Sequence, residues 1–564
     1  MTSLESGLDV LLAGGAPRPR GRLGLLCNPA SVTLGFVPAP QALLAAGLDV
    51  RVLFGPEHGL TGAAQDMEAV AAGEPSRLPV ISLYGESFDD LSPKDEHLEG
   101  LDAVVCDLPD VGSRYYTFVW TIALVMKECA KRKIPVWVLD RPNPLGGDVV
   151  EGNLPEEKLL SFVGLYPMPV RHGMTPGEIA RWTNATQGFG CDLTVVPMRK
   201  AGRAPARREI AETPGWVLPS PNMPTRETAL VYPGACLLEG TNLSEGRGTT
   251  RPFELLGAPW LDADDAAEHA NGLGMPGVAF RPHVFKPTFQ KHAGRTCGGV
   301  QVHVTDAAAF RPYETYLRLL KALFDMDPDR FRWRTETYEY RDDVPAIDLL
   351  TGTAAYRRLV AAGEPLDGWI ATFRNDEARF VEQRRPHLLY STRRDSPSVL
   401  LVTGAHESGK TTVAVQIIEA LVKDGLRVGS LKHTDHEYET DIEGKDSQRH
   451  KAAGANPAVL VAGGRSAVHR SASGRPALSD FLEVEYGLRG CDVVVVEGFR
   501  GENLPKIEVC RAATGRAPLC DADSSVVAVV TDFATRHGSS IPRFTFEEIP
   551  SLLLFLRESP VFKS

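Results

Sequence analysis

The residues best suited to chemistry fall in two places. Near the amino end an apolar run stops at Gly55-Pro56-Glu57-His58-Gly59. A carboxyl and an imidazole are set just past a strand-like segment, between a proline that fixes the backbone and glycines that let it turn. Further on, "LLEGTNLSEGRGTTRPFE" (237–254) supplies Glu239, Asn242, Glu245 and Arg247, and "PSPNMPT" (219–225) adds Asn222. Glycosidic cleavage needs one carboxyl as general acid and usually a second as nucleophile or base. Glu57, with His58 beside it, is the first choice for a catalytic carboxyl, and Glu239 and Glu245 are further candidates. Each also has a purely structural alternative, a salt bridge to Arg114, Arg141 or Arg247. Other strand-like runs end in Asn28, in Asp107 and Asp110, and in Asp140, Arg141 and Asn143. Such a rim of carboxylates, amides and arginines, Arg114 included, suits hydroxyl-rich or anionic ligands such as sugar acids.

The second place is Gly404-Ala-His406-Glu407-Ser408-Gly409-Lys410-Thr411-Thr412, which fits the phosphate-loop pattern G-x-x-x-x-G-K-[ST]. Its glycines let the backbone wrap phosphate oxygens at the start of a helix. Lys410 is expected to reach the β- and γ-phosphates, and the Thr411 hydroxyl to bind Mg²⁺. The buried run "CDVVVVEGFRG" ends at Glu497, the acidic partner expected on a neighbouring strand and a second Mg²⁺ contact. A run with His433, His436, Asp441, Lys445, Asp446 and Arg449 either binds metal or is a solvated loop entering a helix.

Elements must position these groups. Apolar runs at 22–28, 49–55, 79–85, 102–108 and 134–140 read as parallel strands buried on both faces, with helical spacing between them, clearest over 116–131. That is a doubly wound α/β pattern, whose ligands bind at the carboxyl ends of the strands. Residues 161–390 mix helix and strand signals and read as an α+β subdomain completing the cleft. The expected organisation is therefore a Rossmann-like subdomain at 1–160, the α+β subdomain at 161–390, a linker at 391–397 and a P-loop α/β domain at 398–564.

Composition bounds the rest. The 564 residues carry a net charge of −11 with no basic block, which argues against a nucleic-acid partner. Nine scattered cysteines without a CxxC pair suit a reducing cytoplasm. No stretch approaches the ~20 apolar residues of a membrane helix, and acidic residues stand where a signal peptide would be basic, so a cytoplasmic protein is expected.

Seven segments of the first region, "FGPEHGLTG", "DVGSRYYTFVWT", "DRPNPLGG", "RHGMTPGEIA", "PSPNMPT", "YPGACLLEGTNLSEGRGTTRPFELLGAPW" and "CGGVQVHVTD", resemble the exo-β-N-acetylmuramidase family, over roughly residues 20–390. The resemblance implies a Rossmann-like subdomain joined to a smaller one across a cleft, and release of N-acetylmuramic acid from the non-reducing ends of peptidoglycan fragments. Pro109 stands where that family usually has glutamine, and many of its members are exported. The tail, through its phosphate loop, "GKDSQRHKAAGA" and "VVVEGFRGENLPKIEV", resembles the molybdopterin-guanine dinucleotide biosynthesis adapter protein B family over about 398–560. This implies GTP binding, with Mg²⁺, in support of attaching a nucleotide to molybdopterin. Thr434 and Asp435 interrupt the histidine run usual in that family. The tail is expected to pair with itself or with the molybdenum cofactor guanylyltransferase. Alternatives to this fusion of two functions are a non-catalytic sugar-binding module joined to a P-loop GTPase, or a small-molecule kinase in the tail.

Overall fold

The computed structural model describes the chain apart from residues 1–3, 63–67, 69–76, 200–214, 391–397, 406, 424, 425, 427, 433–457, 463, 464, 470–490, 492, 503, 516–519, 521, 522, 524, 534–540 and 559–564. The expected linker, His406 and the run from His433 to Arg449 thus lie outside the described residues. The chain divides into two compact units, Met1–Ser391 and Thr392–Ser564.

In the first unit, β1 (Arg22–Cys27), β2 (Asp49–Gly55), β3 (Val80–Ser82), β4 (Ala103–Asp107), β5 (Val136–Leu139) and β6 (Leu193–Val196) form one parallel sheet in the order β3-β2-β1-β4-β5-β6. Alternation along the buried strands serves two cores. Val104 and Cys106 pack with Phe118, Ile122 and Met126 of the helix Phe118–Arg132. Ala103 and Val105 pack on the other face with Leu8, Leu11 and Leu43. This is the doubly wound α/β arrangement the apolar runs predict, and its strand order reverses between β1 and β4, where a crevice opens. The sheet runs on past residue 160, its expected edge, because β6 adds a sixth strand. That four-residue run, only partly buried, carries too little apolar pattern to stand out.

The remainder of the unit is α+β. An antiparallel sheet of β7 (Leu255–Ala258), β8 (Val278–Phe285) and β9 (Cys297–Val304), ordered β7-β9-β8, packs on the helix Ala263–Gly272, which meets the helix Pro312–Met326, and that helix packs in turn on Arg226–Ala235.

The second unit has β10 (Ser398–Gly404), β11 (Val428–Lys432), β12 (Ala458–Ala462), β13 (Arg465–His469), β14 (Val493–Glu497), β15 (Lys506–Cys510), β16 (Val526–Thr531) and β17 (Arg543–Phe544). Six of them make a parallel sheet, β11-β14-β10-β15-β16-β17, and β12 with β13 makes a separate antiparallel pair. The helices Lys410–Lys423 and Ile549–Glu558 pack their apolar sides on it, through residues such as Val413, Ile417, Leu552 and Leu556. No described helix is long and apolar enough to cross a membrane.

Each unit has a hydrophobic core of its own, so residues 1–391 and 392–564 produced separately are expected each to unfold cooperatively. Calorimetry on the two pieces checks this, and a broad, non-cooperative transition in either would move the boundary.

Candidate functional site

The first site is built at the carboxyl edge of the Rossmann-like sheet. β2 ends at Gly55, and Pro56 carries the chain into Glu57, which is buried and accepts a 2.6 Å hydrogen bond from the Thr117 hydroxyl. Thr117 immediately precedes the helix Phe118–Arg132, so the helix N-terminus fixes the carboxyl's direction. His58 follows in a left-handed conformation (φ 68°) that few non-glycine residues adopt.

Glu57 and His58 line a pocket together with Asn222, Glu239, Arg247 and Glu339. Aromatic walls close it: Tyr116 meets Tyr232 edge-on, and Tyr232 meets Phe253 likewise, with ring centroids 6.1 and 4.9 Å apart. Burial pushes the Tyr116 phenol well above its ordinary pKa. Glu239 is gripped from two sides, by Arg247 Nη2 at 2.6 Å and by the Tyr338 hydroxyl at 2.7 Å. Arg247 also lies 3.5 Å from Glu245 and over the Phe253 ring. Glu245 does not line the pocket. It is buried behind Arg247 and bonded by Lys291 at 2.9 Å. Burial alone would raise its pKa, and the attraction of Lys291 and Arg247 outweighs that and lowers it.

The other residues read from the sequence do different work. Asn28 donates to the Pro219 carbonyl at 3.0 Å and accepts from Ala30 N–H, bracing the segment that carries Asn222. Asp107 is fully buried and takes both arms of Arg141, at 2.5 and 2.8 Å. Arg114 is fully buried and donates to the carbonyls of Asn153, Met168 and Leu350. Asp140 likewise holds the fold: it accepts from Thr175, Gly177 N–H and the Tyr390 hydroxyl at the start of the helix Pro176–Thr186. Asn143 bonds the Met174 carbonyl and Leu145 N–H, and Asn242 the backbone of Arg330 and Arg332. Asp110 accepts from Gly112 N–H and faces His172 at 3.3 Å. With Arg141 it borders a different, largely apolar hollow beside Trp216.

Sequence reasoning passed over Thr117, Ser220, Tyr338 and Glu339. Glu339 and Tyr340 are consecutive left-handed residues (φ 47° and 63°) that turn a buried carboxyl to the pocket wall. No periodic pattern marks such a turn. The only sequence signal is an acid between two tyrosines in an irregular stretch.

In the second unit the phosphate loop leaves β10 through Gly404 and Gly409, both at positive φ, and enters the helix Lys410–Lys423. The Thr411 hydroxyl donates to Glu497 at 2.9 Å, and Lys432 approaches both, at 3.3 Å each. Lys410 turns onto the Ala405 carbonyl at 2.5 Å, and burial lowers its pKa. Glu407 is left-handed (φ 62°), Ser408 is buried, and Thr412 is exposed on the helix. Among the described residues no group of three or more His, Cys, Asp or Glu is placed to hold a metal.

A Rossmann-type unit with a carboxyl-lined pocket, followed by a unit with a phosphate-loop α/β fold, defines a fusion of two α/β proteins. Comparison with known proteins makes this specific. Residues 23–227 and 230–390 match the N- and C-terminal domains of exo-beta-N-acetylmuramidase NamZ, and 399–532 match molybdopterin guanine dinucleotide synthesis protein B. The chain is 39% identical over 392 residues to the peptidoglycan beta-N-acetylmuramidase NamZ of Bacillus subtilis, covering 69% of this chain and 91% of that protein. It is 36% identical over 135 residues to the molybdopterin-guanine dinucleotide biosynthesis adapter protein of Haemophilus influenzae, covering 24% of this chain and 75% of that one. A crystal structure of a DUF1343 family protein from Bacteroides fragilis superposes with a TM-score of 0.62 at 29% identity, over 69% of this chain and all of that one. The chain belongs to the NamZ exo-β-N-acetylmuramidase family, with a C-terminal domain of the molybdopterin-guanine dinucleotide adapter family.

Asp140 yields a pH prediction. Burial raises its pKa to about 7, against the pull of its hydrogen bonds. The folded state therefore keeps a proton that the unfolded chain releases near its ordinary value, and folding stability falls as pH rises from about 4 to about 7, then levels. Glu151, raised to about 7 by burial, adds to the same fall. Asp140→Asn is expected to flatten the dependence of the first unit's melting temperature across that window. An unchanged slope would show that Asp140 does not titrate there.

Proposed function

We propose that the first unit hydrolyses β-linked N-acetylmuramic acid from the non-reducing ends of peptidoglycan fragments, with Glu57 as the carboxyl that touches the glycosidic oxygen. The observation that carries this reading is the pocket itself, which gathers Glu57, Glu239 and Arg247 behind aromatic walls. A carboxyl at that oxygen delivers the proton the leaving sugar needs as the C1–O bond breaks, and water supplies the replacement hydroxyl. Glu239, held by Arg247 and Tyr338, is the second carboxyl, and His58 and Asn222 contact the sugar. Glu57→Gln keeps the shape and removes the proton. Hydrolysis of an unactivated muramide disaccharide is expected to fall roughly 10²–10⁴-fold. On a nitrophenyl muramide, whose leaving group needs no proton, the loss should be much smaller. Equal losses on both substrates would make Glu57 the nucleophile or a positioning group, and near-normal rates on both would remove it from the mechanism.

The second unit, in this reading, binds Mg·GTP. Its loop amides and Lys410 cradle the phosphates, and Thr411 with Glu497 offers the hard oxygen donors Mg²⁺ prefers. Mg²⁺ keeps most of its water and uses few protein ligands, which suits a site of two side chains. The unit would act in the cytoplasm as an accessory to the molybdenum cofactor guanylyltransferase, pairing with itself or with that enzyme. The nine free cysteines, eight buried and one partly so, are compatible with a reducing compartment. Lys410→Ala is expected to abolish Mg·GTP binding by calorimetry while the melting of the first unit stays unchanged. Undiminished affinity in that variant would refute the site.

A further inference from the structure

Beside the phosphate loop, on the side away from Glu497, stands an arginine that the phosphate-site reading does not use. β14, β10 and β15 are parallel neighbours, so Glu497, the loop and Arg511 all emerge at one edge of the sheet, in that lateral order. Arg511 follows the last residue of β15. Its Nε donates to the Ser408 carbonyl at 3.2 Å, and its guanidinium lies 4.2 Å from the centroid of the Phe546 ring. A methyl group placed on Gly409 would meet Phe546 at 3.2 Å and Arg511 Nε at 3.4 Å, so the pair packs directly against the loop. Among the described residues no acceptor meets Nη1 or Nη2 of Arg511. One face of the guanidinium is braced by an aromatic ring, and its position is fixed by a backbone carbonyl of the loop.

Thr411, Glu497 and Lys432 mark the β14 side as the end that takes the terminal phosphate and its Mg²⁺. A nucleotide with its phosphates on the loop then leads its nucleoside the other way, over β15 and toward β16. Neighbouring strands lie about 4.8 Å apart, so a base one to two strands from the loop arrives over Arg511. A planar guanidinium backed by a ring is a flat cationic surface, and purines stack on such surfaces.

We propose that Arg511, braced by Phe546, is the stacking platform for the purine of the bound nucleotide. This rests on the reading of the second unit as a nucleotide site, and one set of titrations separates the two. The full-length protein, Arg511→Ala and Arg511→Lys are titrated calorimetrically with Mg·GTP and with Mg·tripolyphosphate, which carries the phosphates without a base. Lysine keeps the charge and lacks the flat face, so it carries the test if the alanine variant loses its fold. Both variants are expected to bind GTP roughly 5- to 100-fold more weakly, the usual worth of one stacked base, and to bind tripolyphosphate nearly as before. Equal weakening for both ligands would make Arg511 a phosphate contact and overturn the proposal, as would undiminished GTP affinity. If the unaltered protein binds neither ligand, the nucleotide reading itself fails.

Discussion

Asp107 sits at the end of β4 without solvent, and the ion pair with Arg141 makes that tolerable. A buried carboxylate needs both oxygens met, and the planar fork of arginine does this with two parallel hydrogen bonds. The same guanidinium also bonds the Val32 carbonyl, so the loop after β1 is drawn to the loops after β4 and β5. Asn28 extends the bracing to Pro219, at the start of the segment that brings Asn222 to the pocket. A parallel sheet delivers all its polar strand ends to one edge, and most of them must be neutralised by one another before any can meet a ligand. Glu57 is left to the pocket because its neighbours answer their own charges.

Arg247 plays a comparable part in the α+β half. It lies between Glu239, which lines the pocket, and Glu245, which does not, with Lys291 balancing the second. The arrangement lets two buried carboxyls share one guanidinium while a lysine prevents a net excess of negative charge. Tyr338 gives Glu239 a second anchor, so its carboxyl direction is set without the ligand. Such preorganisation is what acid–base and electrostatic catalysis require of a site.

Much of this was legible because of how the information is encoded. Buried parallel strands appear as unbroken apolar runs, so five of the first six could be read directly. β6 could not, being four residues long and only partly buried. The phosphate loop is legible because its work is done by backbone geometry, and glycine positions report that geometry. Side-chain roles at the rim are harder. Asp140 and Glu57 both follow apolar runs, yet Asp140 turns to cap a helix while Glu57 faces the pocket. In extended backbone a step of one residue reverses the side chain, and no local pattern reports which way it points. Arg114 donates to three carbonyls that lie 39, 54 and 236 residues away, partners a local pattern does not report. Glu339 reaches the wall through two left-handed residues, a feature that sequence composition does not announce.

The pocket's parts are also far apart in the order of synthesis. Glu57 and Thr117 leave the ribosome early, Asn222, Glu239 and Arg247 much later, and Tyr338 and Glu339 nearly three hundred residues after Glu57. A nascent chain that already holds its sheet has only one wall of the pocket, and closing the rest requires contacts of long sequence separation, which form slowly. The pocket is therefore complete only once the segment carrying Tyr338 and Glu339 has been made. A chain cut before Tyr338 keeps the Rossmann-like sheet and lacks the hydroxyl that holds Glu239.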